Sequence, residues 1–250
     1  MKNYFDFSGK TYLVTGASSG LGRTVAKLLD DCNANVVITG RNAEHLAETA
    51  NAFKNKAHIF AKDLLDSDYT DLFDFVNTEV GKLSGIVHCA GIATVLPINS
   101  LTRECVDQCM TLNFFSLVEL VRLFSKRKYR AENGNIVAVS SISSIYPDKC
   151  QTIYAASKAA LNSAIQGMAL ELVRNNIRIN AVLPGGMDTA MTRKAQDEMG
   201  SENFERKLSK QILGLTKPED VANVILFLLS DMSAVITGRL IPADGGYINF

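Results

Sequence analysis

Lys10-Thr-Tyr-Leu-Val-Thr15-Gly16-Ala-Ser-Ser-Gly20-Leu-Gly22-Arg-Thr-Val-Ala-Lys-Leu-Leu29 is the stretch whose reading decides the fold. Tyr12 to Thr15 reads as a buried strand, and Leu21, Val25, Leu28 and Leu29 repeat at helical spacing. Three glycines lie between strand and helix. Gly16 can supply a tight turn, Gly20 lets backbone approach a phosphate, and the helix beginning near it offers unpaired N–H groups and the positive end of its dipole. Such a strand-turn-helix junction suits a dinucleotide pyrophosphate, although the spacing G-x-x-x-G-x-G differs from the G-x-G-x-x-G fingerprint.

Working outward, strand-like runs alternate with helix-like stretches, which predicts an α/β fold: a Rossmann-type, doubly wound parallel sheet of about seven strands with helices on both faces. Strands are expected near Tyr12 to Thr15, Asn35 to Thr39, Ala57 to Ala61, Gly85 to Cys89, Asn135 to Ser140, Arg178 to Leu183 and Arg239 to Pro242. No repeat, low-complexity tract or linker divides the chain, so residues 1–250 are expected to form one cofactor-binding and catalytic domain. The segment 187–214 has a different texture: Arg193, Lys194, Asp197, Glu198, Glu202, Glu205, Arg206, Lys207 and Lys210 stand among few large apolar residues. It reads as a substrate lid or as a solvated surface insertion.

Lys plus Arg balance Asp plus Glu at 26 each, so no global field attracts nucleic acid or an anionic membrane. Five cysteines form no C-x-x-C pair and three histidines are scattered, which gives no metal site. An odd thiol count with no hydrophobic signal core near Met1 points to the cytoplasm.

Tyr154-Ala-Ala-Ser-Lys158 places a phenol and an ammonium four residues apart in a helical segment, and so on one face. A phenol with a pKa of about 10 is a poor acid or base near neutrality, and a neighbouring cation lowers that value. The pair is a candidate proton-transfer device.

In order, Thr15-Gly16-Ala-Ser-Ser-Gly20-Leu-Gly22, Asp63-Leu64, His88-Cys89-Ala90-Gly91, Asn113, Ser140-Ser141, Tyr154 with Lys158, Asn180-Ala-Val-Leu-Pro184-Gly185, Thr189 and Asp244-Gly245-Gly246 resemble the motifs of the short-chain dehydrogenase/reductase family. The resemblance runs over essentially the whole chain, nearest to the 3-oxoacyl-carrier-protein reductase type. Asn113 lies 22 residues after Gly91 and Ser141 lies 13 before Tyr154, as the family has them. The resemblance implies that Gly16, Ser18, Ser19, Gly20, Leu21 and Gly22 hold the cofactor's phosphates. It also implies that Asp63 and Leu64 border adenine, that Ala90 and Gly91 border ribose, and that Pro184, Gly185 and Thr189 border nicotinamide. Tyr154 would be the general acid/base, with Lys158 lowering its pKa and holding the nicotinamide ribose. Ser141 would donate to the substrate oxygen, and Asn113 would hold a water that links Lys158 to solvent or would simply bond a buried backbone group. One departure stands out: the family often has Asn-Asn-Ala-Gly where this chain has His88-Cys89-Ala90-Gly91, so hydrogen bonds made by asparagine are altered.

Cofactor choice follows from Val36-Val37-Ile38-Thr39-Gly40-Arg41-Asn42. An NAD site wants an acid here for the ribose 2′-hydroxyl, whereas a cation can hold the 2′-phosphate of NADP. Asp30 and Asp31 come too early and Glu44 begins the next helix, so Arg41 points to NADP(H) over NAD(H).

The expected activity is hydride transfer between NADP(H) and a small-molecule carbonyl or secondary alcohol. The alternative is a non-catalytic dinucleotide-binding sensor or scaffold. Ser143, Ile145, Pro147, Gln151, Gly186, Met187 and Met191 are expected to face the substrate. A 3-oxoacyl thioester on a carrier protein is one candidate, with Lys126-Arg127-Lys128 and Arg130 as a basic docking patch or a solvated helix end. A homodimer or homotetramer is expected from the resemblance, with apolar stripes on 112–124 and 161–172 available for the contact or for the core.

Overall fold

In the computed structural model, residues 5–189, 192 and 208–247 are described. Seven parallel strands form one sheet: β1 (Thr11–Thr15), β2 (Asn35–Gly40), β3 (His58–Ala61), β4 (Leu83–His88), β5 (Arg130–Val139), β6 (Ile177–Pro184) and β7 (Leu240–Ala243). Their order is β3-β2-β1-β4-β5-β6-β7. Winding runs outward in both directions from the β1/β4 pair, where Thr15 lies opposite His88. A doubly wound sheet opens its ligand crevice at the carboxyl ends of the strands at this switch point.

Both faces of the sheet are covered, which is why its central strands read as unbroken apolar runs. Side chains alternate: Leu13 packs on one side with Ile86, Ile136 and Ile179, while Tyr12 and Val14 pack on the other with Val87, Val137 and Val182. The first layer is closed by α3 (Thr70–Glu79), α5 (Ser116–Phe124) and α6 (Thr152–Leu172), the second by α1 (Gly20–Asp31), α2 (Ala43–Asn51) and α7 (Pro218–Leu229). Helix α4 (Arg103–Met110) runs into α5 through a π-helical turn, Thr111–Phe115.

One strand departs from expectation by more than two residues at its start. β5 starts at Arg130, well before Asn135, because Arg130 pairs with Leu83 across a register irregularity in β4. This places the Lys126–Arg130 run at the amino ends of the strands, opposite the crevice. Arg130 is buried and donates to the carbonyls of Ala131 and Glu132, and Lys128 pairs with Asp74 at 2.7 Å. Within one copy of the chain this run is no patch at the mouth of the site. The apolar stripes are also mostly core: Leu117, Leu120, Leu123, Phe124, Leu161, Ile165 and Leu172 are buried, leaving Phe115 and Leu170 exposed. Met191 and the charged residues from Arg193 to Lys207 lie outside the described residues.

Candidate active site

The crevice is a cleft of about 480 Å³ along the carboxyl ends of β1, β2, β4, β5 and β6. It brings together Gly16, Ser18, Ser19, Gly20, Leu21, Gly22, Arg41, Asp63, Leu64, Ala90, Gly91, Ser141, Tyr154, Lys158, Pro184, Gly185 and Thr189, all anticipated from sequence and separated in the chain by up to 173 positions (Gly16 to Thr189).

At one end, β1 turns into α1. Gly16 has φ +65°, and a Cβ there would stand 2.8 Å from the Ala90 backbone; a Cβ on Gly22 would stand 2.3 Å from the Gly16 carbonyl oxygen. The close packing of turn, helix and β4 loop therefore depends on hydrogen in both positions. Ser19 caps α1 without a side-chain bond and the first turn holds no acid. Its N–H groups are open to an anion. These features fit a dinucleotide pyrophosphate.

At the β2 end, Arg41 is exposed, and Asn42 caps α2 by accepting from the His45 amide at 2.9 Å. Asp30 and Asp31 are spent elsewhere: Asp30 accepts from the Lys54 and Asn55 amides, and Asp31 pairs with Lys27 and Lys54. The structure adds a cation that sequence reading missed. Lys62 follows β3, its amide donates to the Gly40 carbonyl at 2.9 Å, and so it stands beside Arg41 on the lining, its ammonium paired with Asp71 at 2.8 Å. Only strand pairing, which sequence does not print, makes the two cations neighbours. Asp63 accepts from the Leu65 amide at 3.0 Å.

The other end holds the proton-transfer groups. Ser141 follows β5 and caps a short 3-10 turn by accepting from the Ser143 amide at 3.1 Å, and it lines the cleft together with Tyr154. Burial pushes the Tyr154 phenol up, and the nearby Ser141 hydroxyl opposes that shift. Lys158 does not supply the lowering expected of it here. Its ammonium is turned to the Val139 carbonyl at 2.7 Å, and burial depresses its own pKa to about 8. Gly91 sits between this ammonium and Asn113: a Cβ would stand 3.3 Å from Lys158 Nζ and 3.0 Å from Asn113 Oδ1.

Asn113 lies in the π-helical turn and is fully buried. Its Oδ1 accepts from the Ile92 amide at 2.8 Å, while Nδ2 donates to the Ile92 carbonyl at 2.9 Å and to Ser157 Oγ at 2.9 Å. The side chain thus clamps the backbone of Ile92 from both sides.

Of the expected substrate-facing positions, Ser143, Gln151, Gly186 and Met187 line the cleft. Ile145 and Pro147 do not: the turn after Ser141 carries both to the surface. Gln211, buried within the segment read as a lid, is an unforeseen contributor. It accepts from the Gly186 amide at 2.8 Å and donates to the carbonyls of Gly186 and Gly214, fixing the loop after β6. Among the described residues no cluster of ligands could hold a metal, and no helix is long and apolar enough to cross a membrane.

A doubly wound parallel sheet with an anion-ready first turn, an adjacent cationic corner and a Ser-Tyr-Lys set at the far end of one cleft defines a nicotinamide-dependent oxidoreductase class. Comparison with known proteins agrees. A family profile described as enoyl-(acyl carrier protein) reductase matches residues 16–248. A 3-oxoacyl-[acyl-carrier-protein] reductase from Thermotoga maritima is 34% identical, over 96% of this chain and 98% of its own. An L-rhamnose 1-dehydrogenase (NAD(P)(+)) from Sphingomonas is 34% identical, over 96% and 97%. Among solved structures, a putative short-chain alcohol dehydrogenase from Sinorhizobium meliloti superposes with a TM-score of 0.93 at 32% identity, covering 98% of this chain and 99% of that one. An NADP-bound 3-oxoacyl (acyl-carrier-protein) reductase from Agrobacterium tumefaciens superposes with a TM-score of 0.87 at 26% identity, covering 99% and 98%. The chain belongs to the short-chain dehydrogenase/reductase family.

Proposed function

We propose that the protein is an NADP(H)-dependent oxidoreductase that interconverts a small carbonyl compound and its secondary alcohol. The observation that carries this reading is the gathering of Ser141, Tyr154 and Lys158 in the same cleft as the anion-ready first turn of α1. Bound reduced nicotinamide supplies the hydride. Ser141 and Tyr154 point hydroxyl donors at one carbonyl oxygen, and Tyr154 delivers its proton to that oxygen as charge develops. Lys158 would hold the ribose hydroxyls of a bound cofactor, and its charge there would favour the phenolate. Asn113 holds Ile92, and with it Gly91, against Lys158. In the reverse direction the phenolate removes the alcohol proton.

Arg41 with Lys62 beside it, and no acid at the end of β2, supports NADP(H). The NADP in the Agrobacterium neighbour is consistent with this, and the Sphingomonas relative's name admits either cofactor. A 3-oxoacyl thioester is the substrate class favoured by the Thermotoga relative, and a sugar-derived alcohol by the Sphingomonas one. The lining near Tyr154 combines apolar Ile92, Val95, Leu112, Ile142, Met187 and Leu215 with polar Ser143 and Gln151, which suits a ketone with an apolar flank. We further read residues 1–250 as one folded unit, forming a homodimer or homotetramer through exposed groups such as Leu170, at 79% exposure. Five unpaired thiols support a cytoplasmic setting.

The test is NADPH and NADH oxidation, followed by absorbance, against acetoacetyl thioesters, diketones, keto sugars and cyclic ketones. Turnover preferring NADPH is expected. NADPH binding without turnover on any of these, or on alcohols with NADP, would turn the assignment toward the non-catalytic sensor.

A further inference from the structure

The departure at His88 builds a connection between the end of β1 and the start of α5. His88 is the last residue of β4, fully buried, and its two ring nitrogens touch two different elements. Nδ1 is 2.9 Å from Thr15 Oγ1 at the end of β1, and Nε2 is 3.3 Å from Ser116 Oγ at the start of α5. The neighbours settle the direction of each bond. Ser116 Oγ donates to the Leu112 carbonyl at 2.6 Å, so toward the imidazole it can only accept, and Nε2 must carry the proton. A neutral ring then leaves Nδ1 as an acceptor, and Thr15 Oγ1 donates to it while accepting from the Ala90 amide at 3.1 Å. The ring is held neutral, since burial and the Lys158 charge press its pKa to about 3.

Each end of this chain of bonds reaches the site. The Ser116 amide reaches back five residues to the Thr111 carbonyl, the mark of a π-helical turn. The Leu112 carbonyl, which that amide would meet in an α-helix, is instead satisfied by the Ser116 hydroxyl. The turn that carries Asn113 is therefore supported by a side chain whose lone pair is fixed by His88. At the other end, Thr15 anchors the Ala90 amide, and Asn113 clamps both backbone groups of Ile92. A closed ring results: His88 to Ile92 along the chain, Ile92 to Asn113 by hydrogen bonds, Asn113 to Ser116 along the helix, and Ser116 back to His88.

We propose that His88 is a positioning residue, a neutral imidazole that couples the π-helical turn bearing Asn113 to the Ala90–Ile92 loop of the cofactor cleft. It rests on the reading of that cleft as an NADPH site only for its functional consequence. The coupling itself is a property of the free protein.

The experiment compares the parent with Ser116→Ala, His88→Leu, His88→Asn and the Ser116→Ala/His88→Leu double variant. Backbone hydrogen exchange is followed in the free protein, NADPH affinity by calorimetry, and thermal midpoint alongside. The Ser116 hydroxyl makes its hydrogen bonds to His88 and Leu112 and not to the 90–92 loop, yet Ser116→Ala is expected to speed exchange there by about five- to tenfold, the change that matches one buried hydrogen bond. It should weaken NADPH by a similar factor. His88→Leu should loosen both 90–92 and 111–116, and the double variant should be no worse than His88→Leu, because both substitutions break one chain of bonds. His88→Asn, which keeps an acceptor near Thr15 but is shorter toward α5, should protect 90–92 better than 111–116. Should His88→Leu fail to fold, Ser116→Ala and His88→Asn carry the test. Parent-like exchange at 90–92 in Ser116→Ala, or effects that multiply independently, would overturn the coupling. So would a lower thermal midpoint with exchange raised evenly along the chain. If the parent itself does not bind NADPH, the reading of the cleft fails while the exchange measurements still decide the coupling.

Discussion

Replacing Lys158 by methionine removes a buried cation, and the pH dependence of stability should report it. The side chain is 4% exposed, and burial lowers its pKa from 10.5 to about 8. Between those values the unfolded chain holds a proton that the folded chain has released, so stability rises with pH across the window and is lowest below it. A depression of this size weakens the fold by about 3 kcal/mol well below the folded pKa. Evaluated from the same two values, the penalty shrinks by about 2 kcal/mol between roughly pH 7.5 and pH 9.5. Methionine keeps the stem and has no charge to titrate. Urea unfolding of both proteins at the two pH values isolates the lysine, because other titrating groups cancel in the difference. The parent should gain about 2 kcal/mol relative to Lys158→Met on going to the higher pH. A difference that stays flat or moves the other way would refute the account of Lys158 as a cation held at a desolvation cost and turned to Val139. The same variant should lose turnover, since the group that stabilises the phenolate is gone.

Tyr154→Phe should lower turnover by at least about a hundredfold, the usual worth of a positioned acid, while NADPH affinity measured by fluorescence changes little; unchanged turnover would remove Tyr154 from its role. In Gly91→Ala the new methyl meets Asn113 Oδ1 at 3.0 Å and Lys158 Nζ at 3.3 Å. Overpacking of about 1–3 kcal/mol should fall on cofactor binding more than on the thermal midpoint, which parallel calorimetry and melting curves can separate. Arg41→Ala should weaken NADPH by roughly tenfold or more with little effect on NADH, as expected for loss of a charge-assisted contact, and Lys62→Gln should act in the same direction; equal loss for both cofactors would count against the cationic corner. Light scattering showing a 27.2 kDa species alone would remove the oligomer.

Much of this molecule is legible in its order of residues. Alternating buried runs and helical repeats mark six strands to within two residues at their starts, because a strand covered on both faces must be apolar throughout. The exception is β5, whose early start depends on Arg130 pairing with Leu83, a contact no local pattern announces. Gly16, Gly20 and Gly22 were readable because backbone geometry demands them in place. Tyr154 and Lys158 were readable because four residues of helix suffice to put them on one face.

What the chain determines by itself, then, is what short range determines: strand and helix periodicity, the glycine turn, and the pairing of phenol with ammonium. Which groups those side chains meet is a matter of long-range packing. Lys62 joins Arg41 only because β3 lies beside β2, and Gln211 fixes the loop at Gly186 from 25 residues away. Lys158, expected to act on the phenol, is drawn to a carbonyl of the neighbouring strand. Asn113 is spent on Ile92, and His88 bridges β1 to α5 across 73 and 28 positions of chain. A buried polar atom takes whichever partner the tertiary structure brings within about 3 Å, and no local preference in sequence encodes that choice.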